Sequence, residues 1–263
     1  MNRAKYRKQW RKQQRAYERY SYRQFKSVFR LWGNSIPFED MTRYNYHAIL
    51  VMHVNTDAMI DTYSDVWHRV GLLHGKRVQR SINNQTKNAT PETFMEAVSE
   101  YLRKNGLYNV QTIKETYISD IIKILERELE GEFNMPEVIK RIQRIVNSNR
   151  FYRWQAMRIA RTESTAAANY AATVAGGSSV YLMRKVWISV QDSRTRRIPP
   201  DRYDHYHMND ETTEQDGKFN VSGEMLAFPG DKENSTPGNT INCRCTVAYE
   251  PVRDEDGFLI RIK

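Results

Sequence analysis

As far as Gly176-Gly177 the apolar residues of this chain recur at steps of three and four; beyond that pair they gather into short runs broken by turns. This change of period constrains the fold more than any other feature. A 3.6-residue repeat buries a helical stripe, whereas a short β-branched run buries a strand. The 263 residues therefore read as α+β: a mostly helical N-terminal region followed by a smaller α+β domain with a few short strands. Four segments are expected: a basic aromatic helical arm over 1–35, a helical domain over 36–150, an α+β domain over 151–252, and a C-terminal tail or edge strand over 253–263.

Residues 1–32 contain neither glycine nor proline, and Gly33-Asn34-Ser35 is a stop. Tyr6, Trp10, Tyr17, Tyr20, Tyr22, Phe25, Phe29 and Trp32 form an aromatic stripe at helical spacing. Residues 43–75 predict one or two further helices, and the polar run 81–90 predicts a loop. Thr90-Pro91 opens the next helix with a hydroxyl cap and a first-turn proline, and Asn105-Gly106 closes it. A stripe from Val110 to Leu129 predicts another helix. Asn134-Met135-Pro136 starts one more, and an alanine-rich helix covers 151–175. Val180–Val190 reads as a strand, 191–245 as a long excursion rich in charge, proline and glycine, and Thr246–Tyr249 and Phe258–Ile262 as short strands.

Charge is distributed as unevenly as period. Residues 1–30 hold eleven Lys/Arg against Glu18 alone, so they carry the whole net charge of +10, and the other 233 residues balance 30 basic with 30 acidic groups. Arg3, Lys5, Arg7, Lys8, Arg11, Lys12, Arg15 and Arg19, with Trp10 and Tyr17, are the candidates for binding nucleic acid or an acidic protein surface. Deleting this arm is expected to leave a folded, near-neutral body. The chain has no apolar run of the roughly 20 residues a membrane-spanning helix needs, and its start lacks the apolar core of a secretory signal. Two cysteines make no disulfide scaffold, which points to synthesis in a reducing cytoplasm.

Those two cysteines are Cys243 and Cys245, one residue apart, behind a histidine pair at His205 and His207. Thiolates and imidazoles are preferred zinc ligands, and four such groups suit a tetrahedral site. A structural zinc would staple the 191–245 excursion, which has few apolar residues to bury. Neither spacing is that of a standard zinc module, so one competing reading is two reduced surface thiols and two solvated histidines, and another has the two cysteines on the same side of a strand, one sulfur inward and the other exposed at its end. In that case Asn242 and Arg244 would close the domain through hydrogen bonds.

Four islands stand in order in the second half. They are Ala160-Arg161-Thr162-Glu163; Trp187 with Asp192-Ser193-Arg194-Thr195-Arg196; Phe219, Gly223 and Phe228-Pro229-Gly230-Asp231; and Asn242-Cys243-Arg244-Cys245. Together they resemble the Mu F-like family of phage head-morphogenesis, or minor head, proteins over about residues 150–250. Arg161, Glu163, Trp187, Asp192, Arg196, Asp231, Asn242 and Arg244 are the residues that carry the motif. The sequence departs from the family pattern where Arg197 to Asp204 intervene before the histidine, matched here to His205 in Arg202-x-x-His205.

The resemblance implies a virion component present in several copies inside the head near the portal, made in the bacterial host cytoplasm, contacting portal or other head proteins and the packaged DNA, and able to leave with the genome. The alternative is a packaged nuclease or toxin-like effector, in which His205, Arg196, Arg161 and Glu163 would surround a phosphate with His205 as acid or base. Against it, Arg161–Glu163 and Asp192–Arg196 read better as internal ion pairs that lock the helix to the following loop.

Overall fold

The computed structural model describes residues 1–87, 93–130 and 134–262. It is α+β, helical in its N-terminal region with a small antiparallel sheet after it. The helices are α1 (Arg3–Ser35), α2 (Tyr46–His53), α3 (Asp57–Thr86), α4 (Phe94–Leu129), α5 (Met135–Val146), α6 (Asn149–Gly177) and the short α7 (Pro237–Thr240). The strands are β1 (Met183–Ile188), β2 (Thr212–Glu214), β3 (Phe219–Val221), β4 (Glu224–Leu226) and β5 (Thr246–Pro251).

The chain forms two compact units that interleave in sequence, so the linear segments expected above cut across them. One comprises Met1–Ser21, Val66–Tyr101 and Ala160–Lys263; the other comprises Tyr22–Asp65 and Leu102–Ile159. In the second unit, the aromatic stripe of α1 continues as core. Phe29 stacks on Tyr117 with centroids 5.4 Å apart, and Trp32 donates from Nε1 to the Asn55 carbonyl at 2.6 Å. The predicted start at Asn134 is a true cap, its Oδ1 accepting from Glu137 N at 3.1 Å with Pro136 in the first turn.

In the first unit, β1 is the middle strand of the sheet β2-β1-β5, antiparallel to both neighbours, with Trp187 opposite Val247 and Ile188 opposite Thr246. Every residue of β1 except Arg184 is buried, as a central strand covered on both faces requires. Helix α6 brings Ala166–Ala168, Ala171, Ala172 and Ala175 into the interior, all at 1 % exposure or less. The small side chains matter where Gly230 (φ +88°) passes, since a Cβ there would sit 3.3 Å from the Ala166 backbone.

Three sequence expectations fail locally. Helix α3 runs through 81–86, because Val78, Ile82 and Thr86 extend a buried stripe at steps of four beneath polar neighbours. Helix α4 runs straight through Asn105-Gly106, which was expected to end it. A helical glycine costs only about 1 kcal/mol, and buried Val98, Tyr101, Val110 and Ile113 on either side each return more. Residues 258–262 pair only through isolated bridges, Leu259 with Arg253 and Arg261 with Tyr181. The expected helix start at Thr90-Pro91 lies outside the described residues.

Candidate metal centre

The 191–245 excursion leaves β1 through a turn at Asp192, whose Oδ1 accepts from Arg194 N at 3.0 Å while Thr195 N bonds to its carbonyl at 3.0 Å. The chain then passes His205, held by its own N–H on the Arg196 carbonyl at 3.0 Å. It comes back through α7 and turns at Asn242, which adopts φ +60°. Asparagine tolerates this left-handed conformation better than other non-glycine residues do. That turn delivers Cys243 and Cys245 beneath His205.

All three side chains are 2 % exposed, and their ligand atoms lie within 4.8 Å of one another. His205 Nδ1 is 3.5 Å from Cys243 Sγ and 3.8 Å from Cys245 Sγ. Tetrahedral zinc with bonds of about 2.0–2.3 Å places its nitrogen and sulfur ligands roughly 3.6 Å apart, so these three residues fit that ion. The tautomer fits as well. Asn239 Nδ2 donates to Glu224 Oε2 at 3.0 Å, which turns its Oδ1 toward His205 Nε2 at 2.6 Å. Nε2 therefore carries the hydrogen and Nδ1 presents its lone pair to the sulfurs, the outer-sphere support typical of a ligating histidine. Trp187 closes one side, its ring edge-on to the imidazole at 5.6 Å. A hydrogen bond from Cys243 holds the Cys245 thiol well below its ordinary pKa, against the opposing pull of burial. The same sharing, with burial, pushes Cys243 up.

The motif residues build the frame around this cluster. Arg244 grips Asp192 with two parallel bonds of 2.6 and 2.7 Å, holding that carboxyl well below the usual carboxylate range. Arg161 pairs with Glu18 at 2.8 Å and reaches Asn242 Oδ1 at 3.1 Å. Glu163, buried, accepts from Trp67 Nε1 at 3.2 Å and Lys232 Nζ at 2.5 Å. Arg196 donates to the carbonyls of Asn239 and Ile241. Asp231 accepts from Ala227 N at 2.8 Å and caps its own loop. The islands are thus locked together as internal contacts, but with partners other than the expected Arg161–Glu163 and Asp192–Arg196 pairs.

Several expected site residues stand elsewhere. His207 is not part of the cluster: its exposed ring takes Asp204 Oδ2 at 2.7 Å on the open side of the turn. Nor is either sulfur exposed. Only one part of the competing reading holds: Asn242 and Arg244 do bond across the domain, but both thiols and His205 are buried. Arg161 and Glu163 do not line the cavity at His205 and are committed to other partners, so the four-residue catalytic set is not assembled; Arg196 alone joins His205 there.

The N-terminal segment is not a separate arm. Trp10 and Tyr17 are 1 % and 4 % exposed, and Arg3 pairs with Glu250 at 2.7 Å, Arg7 with Asp210 at 3.7 Å. Tyr6 hydroxyl donates to the Val247 carbonyl at 3.1 Å. Deleting 1–32 would strip core residues, so the expectation of a folded remainder is withdrawn. Lys5, Lys8, Lys12, Arg15 and Arg19 remain exposed, with Arg11 half-buried.

Sequence reading missed Asn239 and Asn169. Buried Asn169 on α6 donates to the carbonyls of Pro229 and Cys245 at 2.9 and 3.0 Å and accepts from Val247 N at 3.1 Å. Nothing local marks either asparagine, because their partners are 15 to 78 residues away. Neither a family model, a curated protein nor a solved structure matches the chain.

Proposed function

We propose that this chain is a phage minor head protein that acts in head morphogenesis, sits inside the head near the portal in several copies, and lays its exposed cations along packaged DNA. The observation that carries the reading is that the four ordered islands contact one another, Arg161 with Asn242, Asp192 with Arg244 and Trp187 with Phe219, while Trp187 packs edge-on against His205 of the buried His205, Cys243 and Cys245 cluster. Widely spaced residues that each resemble one family's motif are expected to meet if they belong to one structural unit. The cluster would hold a structural zinc, tying His205 to the far end of the 191–245 excursion and supplying stability that the excursion lacks in apolar burial.

Lys5, Lys8, Lys12, Arg15 and Arg19 alternate steps of three and four on α1, about 4.5–6 Å apart along the axis. This ridge suits successive phosphates of one strand. Glu18 nearby is neutralised by Arg161. The nuclease reading has less support, because two of its four residues do not line the cavity at the histidine and are bonded elsewhere.

The test is to produce particles with and without the chain, count its copies by quantitative mass spectrometry, and cross-link it in intact heads. Copies protected inside the head and cross-linked to the portal support the reading; normal particles that never contain the chain contradict it. In solution, replacing Lys8, Lys12, Arg15 and Arg19 with glutamine should flatten the salt dependence of DNA binding by roughly 3–4 in logarithmic slope. Binding that is insensitive to salt would point to a protein partner instead.

A further inference from the structure

We propose that the metal held by His205, Cys243 and Cys245 keeps one exchangeable coordination position, and that this position takes a phosphate-class oxyanion steered by Arg194. The inference rests on the metal reading above and adds a ligand to it.

Among the described residues the cluster offers three ligand atoms, not four. Zinc bound by three protein groups completes its tetrahedron with an exogenous ligand. All three residues line one cavity of about 210 Å³, through which an exogenous ligand would reach them. Apart from Val190 the remaining wall is polar: Arg194, Thr195, Arg196, Asp201, Asn242 and Arg244. A water's share of liquid is about 30 Å³, so the space admits a tetrahedral anion.

Charge selects the occupant. Two thiolates cancel the dication, Arg244 is offset by Asp192, Arg194 and Arg196 add two positive charges, and Asp201 subtracts one. The cavity is thus left positive and favours an anion. Arg196 is fixed on two carbonyls and contributes a field. Arg194 has the reach: its side chain is 67 % exposed, and the nearest oxygen of Asp192 is 3.9 Å away, on a carboxylate already gripped by Arg244. Asp201 is the internal competitor that could close the site as a fourth ligand.

The experiment replaces the metal in the full chain with cobalt(II) and follows its visible absorption. Inorganic phosphate is titrated first, then a short single-stranded oligonucleotide. One cobalt per chain is expected, with bands that shift saturably with phosphate. Arg194→Gln should raise the half-saturating phosphate at least tenfold at unchanged cobalt stoichiometry, and Asp201→Asn should leave the phosphate-free spectrum unchanged. A shift with phosphate alone assigns the site to a free anion; a shift with the oligonucleotide too assigns it to a nucleic-acid backbone, and both support the proposal. Bands indifferent to phosphate, bands altered by Asp201→Asn, or an unchanged titration in Arg194→Gln would overturn it. Failure to bind cobalt at all would instead refute the underlying metal reading.

Discussion

The indole Nε1 of Trp10 donates to the main-chain carbonyl of Arg244 at 2.7 Å, a buried bond that joins the first helix to the middle of Asn242-Cys243-Arg244-Cys245. The cationic helix and the cysteine segment are thus parts of one packed interior. Trp10→Phe keeps most of the apolar burial but leaves that carbonyl unsatisfied, and should cost about 1–3 kcal/mol. Trp10→Ala adds a cavity and should cost about 3–5 kcal/mol. Chemical denaturation of the full chain checks both. A neutral Trp10→Ala would mean that the N-terminal helix is dispensable to the fold.

His74 lies between Trp10 and Tyr17, ring centroids 5.0 and 5.9 Å away, with no hydrogen bond to either ring nitrogen among the described residues. Burial, reinforced by Arg77, lowers its pKa to about 3. An unfolded histidine titrates near 6.5. Between these values the unfolded chain binds a proton that the native chain refuses, so stability falls as the pH drops from about 6.5 towards 3, by about 1.4 kcal/mol per unit. His74→Phe should remove this dependence. The stability difference between the variant and the parent, measured from pH 7 to pH 4.5, should therefore widen steadily; parallel curves would count against a neutral buried imidazole.

Lys185 is 1 % exposed on β1, with its ammonium 5.6 Å from the centre of the Phe219 ring. Burial lowers its pKa to about 8, against opposing pulls from Asp216 and Asp231. The group's contribution is complete above the unfolded value of about 10.4 and is lost as pH falls to 8. Lys185→Met should therefore stabilise the protein at pH 7 by on the order of 1–3 kcal/mol, with the gain shrinking between pH 8 and 10.4. Destabilisation at pH 7 would show that the two aspartates more than offset the cost of burial.

What the sequence disclosed was local chemistry. The α1 stop after Gly33, the Asn134 cap and the end of α6 at Gly177 all follow from residues within a turn of one another. The α+β class follows from the change of period at the same glycines. The continuity of α3 and α4 was hidden because polar content and Asn105-Gly106 outweigh, in a short window, apolar contacts made far away. For the site, Cys243, Cys245 and His205 were legible as ligand types, but His207 could not be separated from His205 until the turn placed one inward and the other on Asp204. The aromatic stripe was legible as one helix face, but not the fact that its partner was the same chain. Asn239 fixes the imidazole from 34 residues away, a relation no spacing rule carries.

The metal is the most direct point of attack. Full-length protein purified without chelator should contain one zinc per chain by elemental analysis, and Cys243→Ser and His205→Ala should each lose it together with several kcal/mol of stability, whereas His207→Ala should lose neither. Protein that is free of metal, folded, and equally stable with and without added zinc would contradict the account at its centre.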